Sequence, residues 1–251
     1  MKILTMTALC GALLAGPAFG QDEGADPSEH FATMAEGLKK SKTNDDDDRH
    51  EAQTSVVGAV DRLLLDFPNY DEKTQKSVVK EIGKIFKFRA KDGEDSLYIA
   101  AAAALSDMKI VESEKALKSA IGVKHIEKRV DVQVMVIESL GKHKNEKNID
   151  MIVKLLKKGE QRISVAATNA LSEYRDSKPK VRKEIVGELV KEYANTNGLN
   201  VREKGKNPVW RDRLMAIEVP MNEALSTLTL QSFQTAPEWQ KWYNNNKSKK
   251  W

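Results

Sequence analysis

The 251-residue chain has one cysteine, Cys10, and that residue lies in a stretch expected to be removed. A disulfide scaffold and a thiolate zinc site are therefore excluded from the rest of the chain. Charge of one sign is not in large excess: 41 basic and 37 acidic residues leave +4. So small a net charge does not call for nucleic acid. No apolar run approaches the ~20 residues of a spanning helix. Catalytic signatures are missing as well. The chain holds no G-x-S-x-G, no Gly-rich phosphate loop and no Cys-x-x-Cys-His site. His50 and Glu51 begin like a zinc helix, but Thr54 stands where the second histidine is needed. The other histidines, His30, His125 and His143, are scattered. Ser77 and Lys80 match S-x-x-K, a pattern of common residues without its partner motifs. No catalytic residue, cofactor or metal is expected.

At the N-terminus Lys2 precedes a largely apolar run from Ile3 to Leu14, and Ala18 and Gly20 are small residues before Gln21. That pattern predicts a secretory signal peptide over 1–20, cleaved after Gly20. A lipid anchor on Cys10 is disfavoured by Leu9, which stands where a small residue is needed. Cleavage would leave 231 residues of net charge +3 and no cysteine. The expected location is secreted or periplasmic. Residues 21–50 are acidic and polar, with one short helix expected around Phe31, Met34 and Leu38. The run Asp45 to Asp48 is expected to be a solvated linker, because adjacent carboxylates repel. A calcium loop would need alternating ligands and a turn glycine, and the run offers neither.

From residue 51 one pattern recurs. Leu64, Leu105, Leu140, Leu171 and Leu225 each carry apolar or small residues, with His143 the exception, at −8, −4, −1 and +3. Those offsets share one face of a 3.6-residue helix. The fourth copy, for instance, reads Ile163, Ala167, Ala170 and Tyr174. Each stripe except the last is followed by a turn and a second amphipathic helix, lined for example by Val78, Ile82, Ile85 and Phe86, or by Val181, Ile185 and Leu189. The copies lie 41, 35, 31 and 54 residues apart. Such spacing suits helical repeat units, which hide their open faces by stacking. The sequence predicts an all-α protein of about five helix pairs sharing one core. Pro220 falls inside the last leucine helix and predicts a break or kink there. Beyond it Trp239, Trp242 and Tyr243 form an i, i+3, i+4 patch, expected to cap the last unit.

The run IESLGKHKNEKNIDMIVKLLKKGEQRISVAATNALSEY resembles the HEAT-repeat family, particularly its short bacterial form. Asp176 with Val181 and Arg182 is similar to the aspartate and Val-Arg pair of HEAT turns. The ending NEALSTLTLQSFQTAPEWQKWYNNNK resembles that of secreted bacterial HEAT proteins. The resemblance covers about residues 53–246 and implies a right-handed α-α solenoid over 51–251.

Two groups of basic residues are candidates for binding. Lys76, Lys80, Lys84 and Lys87 line one side of a second helix, and Lys178, Lys180, Arg182 and Lys183 crowd the start of another. A solvated outer face, helped by Glu81, Glu184 and Glu188, is the favoured explanation of such residues, ahead of an electropositive groove. Two functional readings stay open. One is a non-enzymatic, monomeric scaffold binding an unknown protein in the bacterial envelope or outside the cell. The other is a binder of anionic polysaccharide, or an envelope hydrolase or lyase whose catalytic residues carry no familiar motif.

Overall fold

The computed structural model describes residues 26–249, and the expected signal peptide lies outside the described residues. Among these the protein is all-helical, without strands. In chain order the helices are α1 (Ser28–Lys40), α2 (Asp46–Asp66), α3 (Glu72–Gly83), α4 (Ser96–Asp107), α5 (Val111–Ile121) and α6 (Val130–Lys142). They continue with α7 (Ile149–Leu156), α8 (Gln161–Ser172), α9 (Pro179–Arg202), α10 (Pro208–Thr229) and α11 (Ala236–Asn246). None is long and apolar enough to cross a membrane.

The five leucines sit on α2, α4, α6, α8 and α10. These helices pack in series: α2 on α4, α4 on α6, α6 on α8 and α8 on α10. The helices between them form a second row, in which α3 meets α5, α7 meets α9 and α9 meets α11. Leu105, Leu140, Leu171 and Leu225 are fully buried. Leu64 departs from the expectation and is only half-buried. Its stripe still holds, because Val56, Val60, Leu63 and Phe67 are buried. The second helices bury Val78, Ile82, Ile85, Phe86, Ile185 and Leu189 as their spacing predicts.

The core gathers into two clusters, with Ile121 packed against both. One cluster gathers residues from Met34 to Leu140, a second gathers Ile137 to Trp239, and they divide along α6. At that seam Gly141 lies so close to α8 that an added Cβ would stand 2.6 Å from the Ala170 Cα. Backbones that approach this closely leave no room for large side chains between them, so bulk collects on either side.

The aspartate run proves to be no linker. Asp45 is the N-cap of α2, accepting the Asp48 N–H at 3.0 Å, and Asp46 to Asp48 form its first turn. Carboxylates are favoured there, because the exposed N–H groups and the helix dipole are positive. The boundary at residue 50 therefore falls inside α2. Ahead of it, α1 packs along α2 with Met34 buried and Gly37 pressed against Val56.

The break expected at Pro220 is not seen either, since α10 is one helix from Pro208 to Thr229. A proline inside a helix costs ~3 kcal/mol, and packing of α10 against both α8 and α9 offsets it. The last helix, α11, starts with a capping box in which Thr235 and Glu238 bond reciprocally. Trp239 on α11 is fully buried and its Nε1–H donates to Asn222 Oδ1 at 2.8 Å. Trp242 and Tyr243 are half-buried. Tyr243 packs over Gly187 of α9, where a Cβ would come within 2.5 Å of its hydroxyl.

Candidate functional site

The basic residues singled out in the sequence are not brought together. Lys76, Lys80, Lys84 and Lys87 are exposed on α3 and the turn that follows it. Lys76 pairs with Glu72 at 2.5 Å and Lys84 with Glu81 at 2.6 Å, so half of this group is countered by its own helix. Lys178 and Lys180 are exposed at the start of α9, three helices further along the same row. Arg182 instead turns inward and donates from Nη1 to the Leu228 carbonyl at 3.4 Å. Lys183 donates to the Lys249 carbonyl. Of the second group only two cations point to solvent.

Two buried arginines that sequence reasoning overlooked do more to organise the structure. Arg129, at the N-cap of α6, donates from Nη2 to the carbonyls of Ala90 and Lys91 at 2.8 Å each, and pairs with Asp95. Its guanidinium lies 5.1 Å from the Tyr98 ring centroid. The Tyr98 hydroxyl in turn accepts the Ala90 N–H at 2.8 Å and donates to the Phe88 carbonyl at 2.8 Å. Arg213 on α10 donates to the carbonyls of Lys158 and Leu156 at 2.6 and 3.0 Å and to Glu192 at 3.0 Å. Both arginines satisfy turn carbonyls that no helix can reach. Donors used in this way offer no charge to a ligand. His143 is likewise structural: half-buried, it bonds the Leu105 carbonyl through Nε2 at 2.9 Å, and burial holds its pKa below the ordinary value.

The outward face of the leucine-helix row is chemically different from the lysine-rich second row. Six residues before each reference leucine stand Gly58, Ile99, Val134, Val165 and Val219. That offset lies ~170° around the helix from the middle of the buried stripe, where a solvated helix would carry polar residues. Four of the five copies carry an aliphatic residue there. Ile99, Val134 and Val165 are half-buried and pack in part against the core, whereas Val219 is 61% exposed. The outward stripe of α4, comprising Ser96, Ile99, Ala100 and Ala103, is free of charge. With neighbouring axes ~8–10 Å apart, four helices give a row of about 25–30 Å.

Part of this row deepens into a hollow of about 200 Å³ between α6, α8 and α10, floored by Val134, Val165, Ala166 and Ala216. Its rim is tied by paired side chains. Arg162 bonds Asp131, and Asn169 Nδ2 donates to Glu138 at 3.3 Å. Small-molecule sites commonly measure ~300–1,000 Å³, so this hollow suits a single apolar side chain rather than a cofactor. A larger opening of about 910 Å³ between α1 and α2 is lined by Thr33, Glu36, Lys40, Asp48 and Glu51, among others. Its charges are solvated, as in the exposed Glu36–Lys40 pair at 2.8 Å, and such pairs contribute ~0–1 kcal/mol. Among the described residues no three His, Asp or Glu side chains converge as metal ligands. A scan against protein-family models finds no match for this chain, and a search of curated proteins finds none.

Proposed function

We propose that this chain is a HEAT-like α-solenoid of five helix pairs that binds a protein partner in the bacterial envelope or outside the cell. The binding surface is the outward face of the leucine-helix row, and its role is that of a scaffold rather than an enzyme. The observation that carries this reading is the aliphatic residue repeated on α4, α6, α8 and α10, opposite the buried stripe. Ile99, Val134 and Val165 pack in part against the core, and a partner laid across the row would cover what remains of them together with the exposed Val219. Packing of each leucine helix against its immediate neighbours supports the solenoid part. The anionic-polysaccharide reading is weaker, because its lysines are partly paired and lie on separate helices.

Site-specific photo-crosslinking in cells that make the protein tests the surface. A crosslinking residue at Val134 or Val165 is expected to trap one discrete protein, and one at Lys80 or Lys154 to trap none. Adducts confined to the lysine positions would overturn the assignment. Small-angle scattering tests the solenoid, since a compact domain of this length has a radius of gyration of about 17–18 Å and an extended one must exceed it.

A further inference from the structure

The hairpin formed by α9 and α10 has longer arms than the helices of the middle of the chain. α9 has 24 residues and α10 has 22, against 8 to 13 for α3 to α8. Burial ends at Thr196 on α9 and resumes at Arg213 on α10, and no residue between them is buried. Each arm therefore extends past its last buried residue for about six residues, or roughly 9 Å at 1.5 Å per residue, with Leu199, Asn200 and Trp210 half-buried along it. Gly198 and Gly205 in this stretch have open space where a Cβ would stand. Left-handed backbone at Lys204 (φ 53°) and Gly205 (φ 67°) closes the turn between the arms.

The tip combines two kinds of side chain. Val201 and Val209, within one turn of the loop on either arm, are 65% and 61% exposed. Trp210 beside them is half-buried. Four cations surround these residues: Arg202, Lys204, Lys206 and Arg211. The two carboxylates of the tip, Glu203 and Asp212, sit 3.6 and 2.9 Å from Arg202 and Arg211. Lys204 and Lys206 have no carboxylate partner among the described residues.

We propose that this hairpin tip is a peripheral docking site for an anionic lipid bilayer. The geometry matches the depth available. Interfacial elements bury apolar groups about 5–10 Å into the headgroup boundary, and the arms project by that amount. Aliphatic residues with a tryptophan enter the boundary while lysines and arginines stay with the phosphates. A convex tip of about sixteen residues favours a fluid surface over a protein partner, because stable protein interfaces need about 800 Å² on each side. The attachment is to the surface only, since no helix is long and apolar enough to cross a membrane. It rests on the hairpin alone and is independent of the aliphatic row proposed to bind protein.

Flotation of the purified chain with vesicles of equal phosphatidylglycerol and phosphatidylcholine tests this, with pure phosphatidylcholine as the control. The wild type is expected to float with the anionic vesicles only, and less as salt rises. Lys204→Glu with Lys206→Glu should weaken binding by at least about 30-fold, since each lysine near an anionic surface contributes about 5-fold. Val201→Asn with Val209→Asn should release the protein at unchanged net charge on the tip. Both pairs are exposed, so an unaltered melting curve is the folding control. No flotation of the wild type at low salt would overturn the proposal. Flotation indifferent to both pairs would overturn it too, by placing the contact on other lysines. Equal binding to soluble polyglutamate, insensitive to the valine changes, would point to an acidic protein and overturn it as well.

Discussion

Removing the indole of Trp239 should loosen the C-terminal end of the molecule more than any other single aromatic change. The side chain has no exposed surface and sits in the cluster with Leu225 and Leu228. Burial of a Trp lost to alanine costs ~3–5 kcal/mol. Edge-on contacts to Phe233 at 4.9 Å and Trp242 at 6.0 Å each add ~0.5–1.5 kcal/mol to such a pair. The bond to Asn222 contributes little beyond this, because Asn222 is half-buried and water can replace the indole. A loss of about 4–8 kcal/mol is expected for Trp239→Ala. At ~2–4 °C per kcal/mol for a chain of this size, the melting temperature should fall by about 8–32 °C. Repeat-like stability is local, so hydrogen exchange should rise first in α9 to α11. Trp239→Phe keeps most of the area and should cost about half as much, and Trp242→Ala, at a half-buried site, less than Trp239→Ala. Calorimetry of the three variants decides the order. A Trp239→Ala protein melting within about 2 °C of the wild type would refute the view that α11 seals this end.

Gly141→Ala should destabilise by ~1–3 kcal/mol, because its Cβ meets the Ala170 backbone and cannot be relieved by a rotamer change. Gly58→Ala, on the open face of α2 with nothing within 4 Å, should instead gain ~0.5–1 kcal/mol; urea denaturation reads both. Arg213→Met leaves the Glu192 carboxylate buried beside the unmet carbonyls of Leu156 and Lys158, and should cost ~3–5 kcal/mol. Adding Glu192→Leu should recover part of that loss in the same melts. Burial lowers the pKa of His143 below 6.5, so the unfolded chain takes up the proton first and stability is lost as pH falls below about 6.5. Between pH 7.5 and 5.5 a His143→Gln variant should show a flatter stability profile than the wild type, and an equal slope would remove His143 as the cause.

Helical class and the buried stripes were legible in the sequence because 3.6-residue periodicity is a local property. Leu105, Leu140, Leu171 and Leu225 could be placed in the core from offsets spanning eleven residues. Even the outward aliphatic row was written there, six residues before each leucine, but its meaning depends on α4, α6, α8 and α10 lying side by side. The free charges were not legible. Arg182 and Lys178 look alike in the chain, yet one reaches a carbonyl 46 residues away and the other faces water. Arg129 and Arg213 find their carbonyls 38 to 57 residues upstream. The aspartate run gave a local signal for a linker, and Pro220 gave one for a break. The first was overruled by the capping of α2 by Asp45, and the second by packing of α10 against α8 and α9. Periodicity along one helix sets which face is apolar. Only contacts between helices decide which polar groups find partners, because those partners lie far away along the chain and close only in the fold.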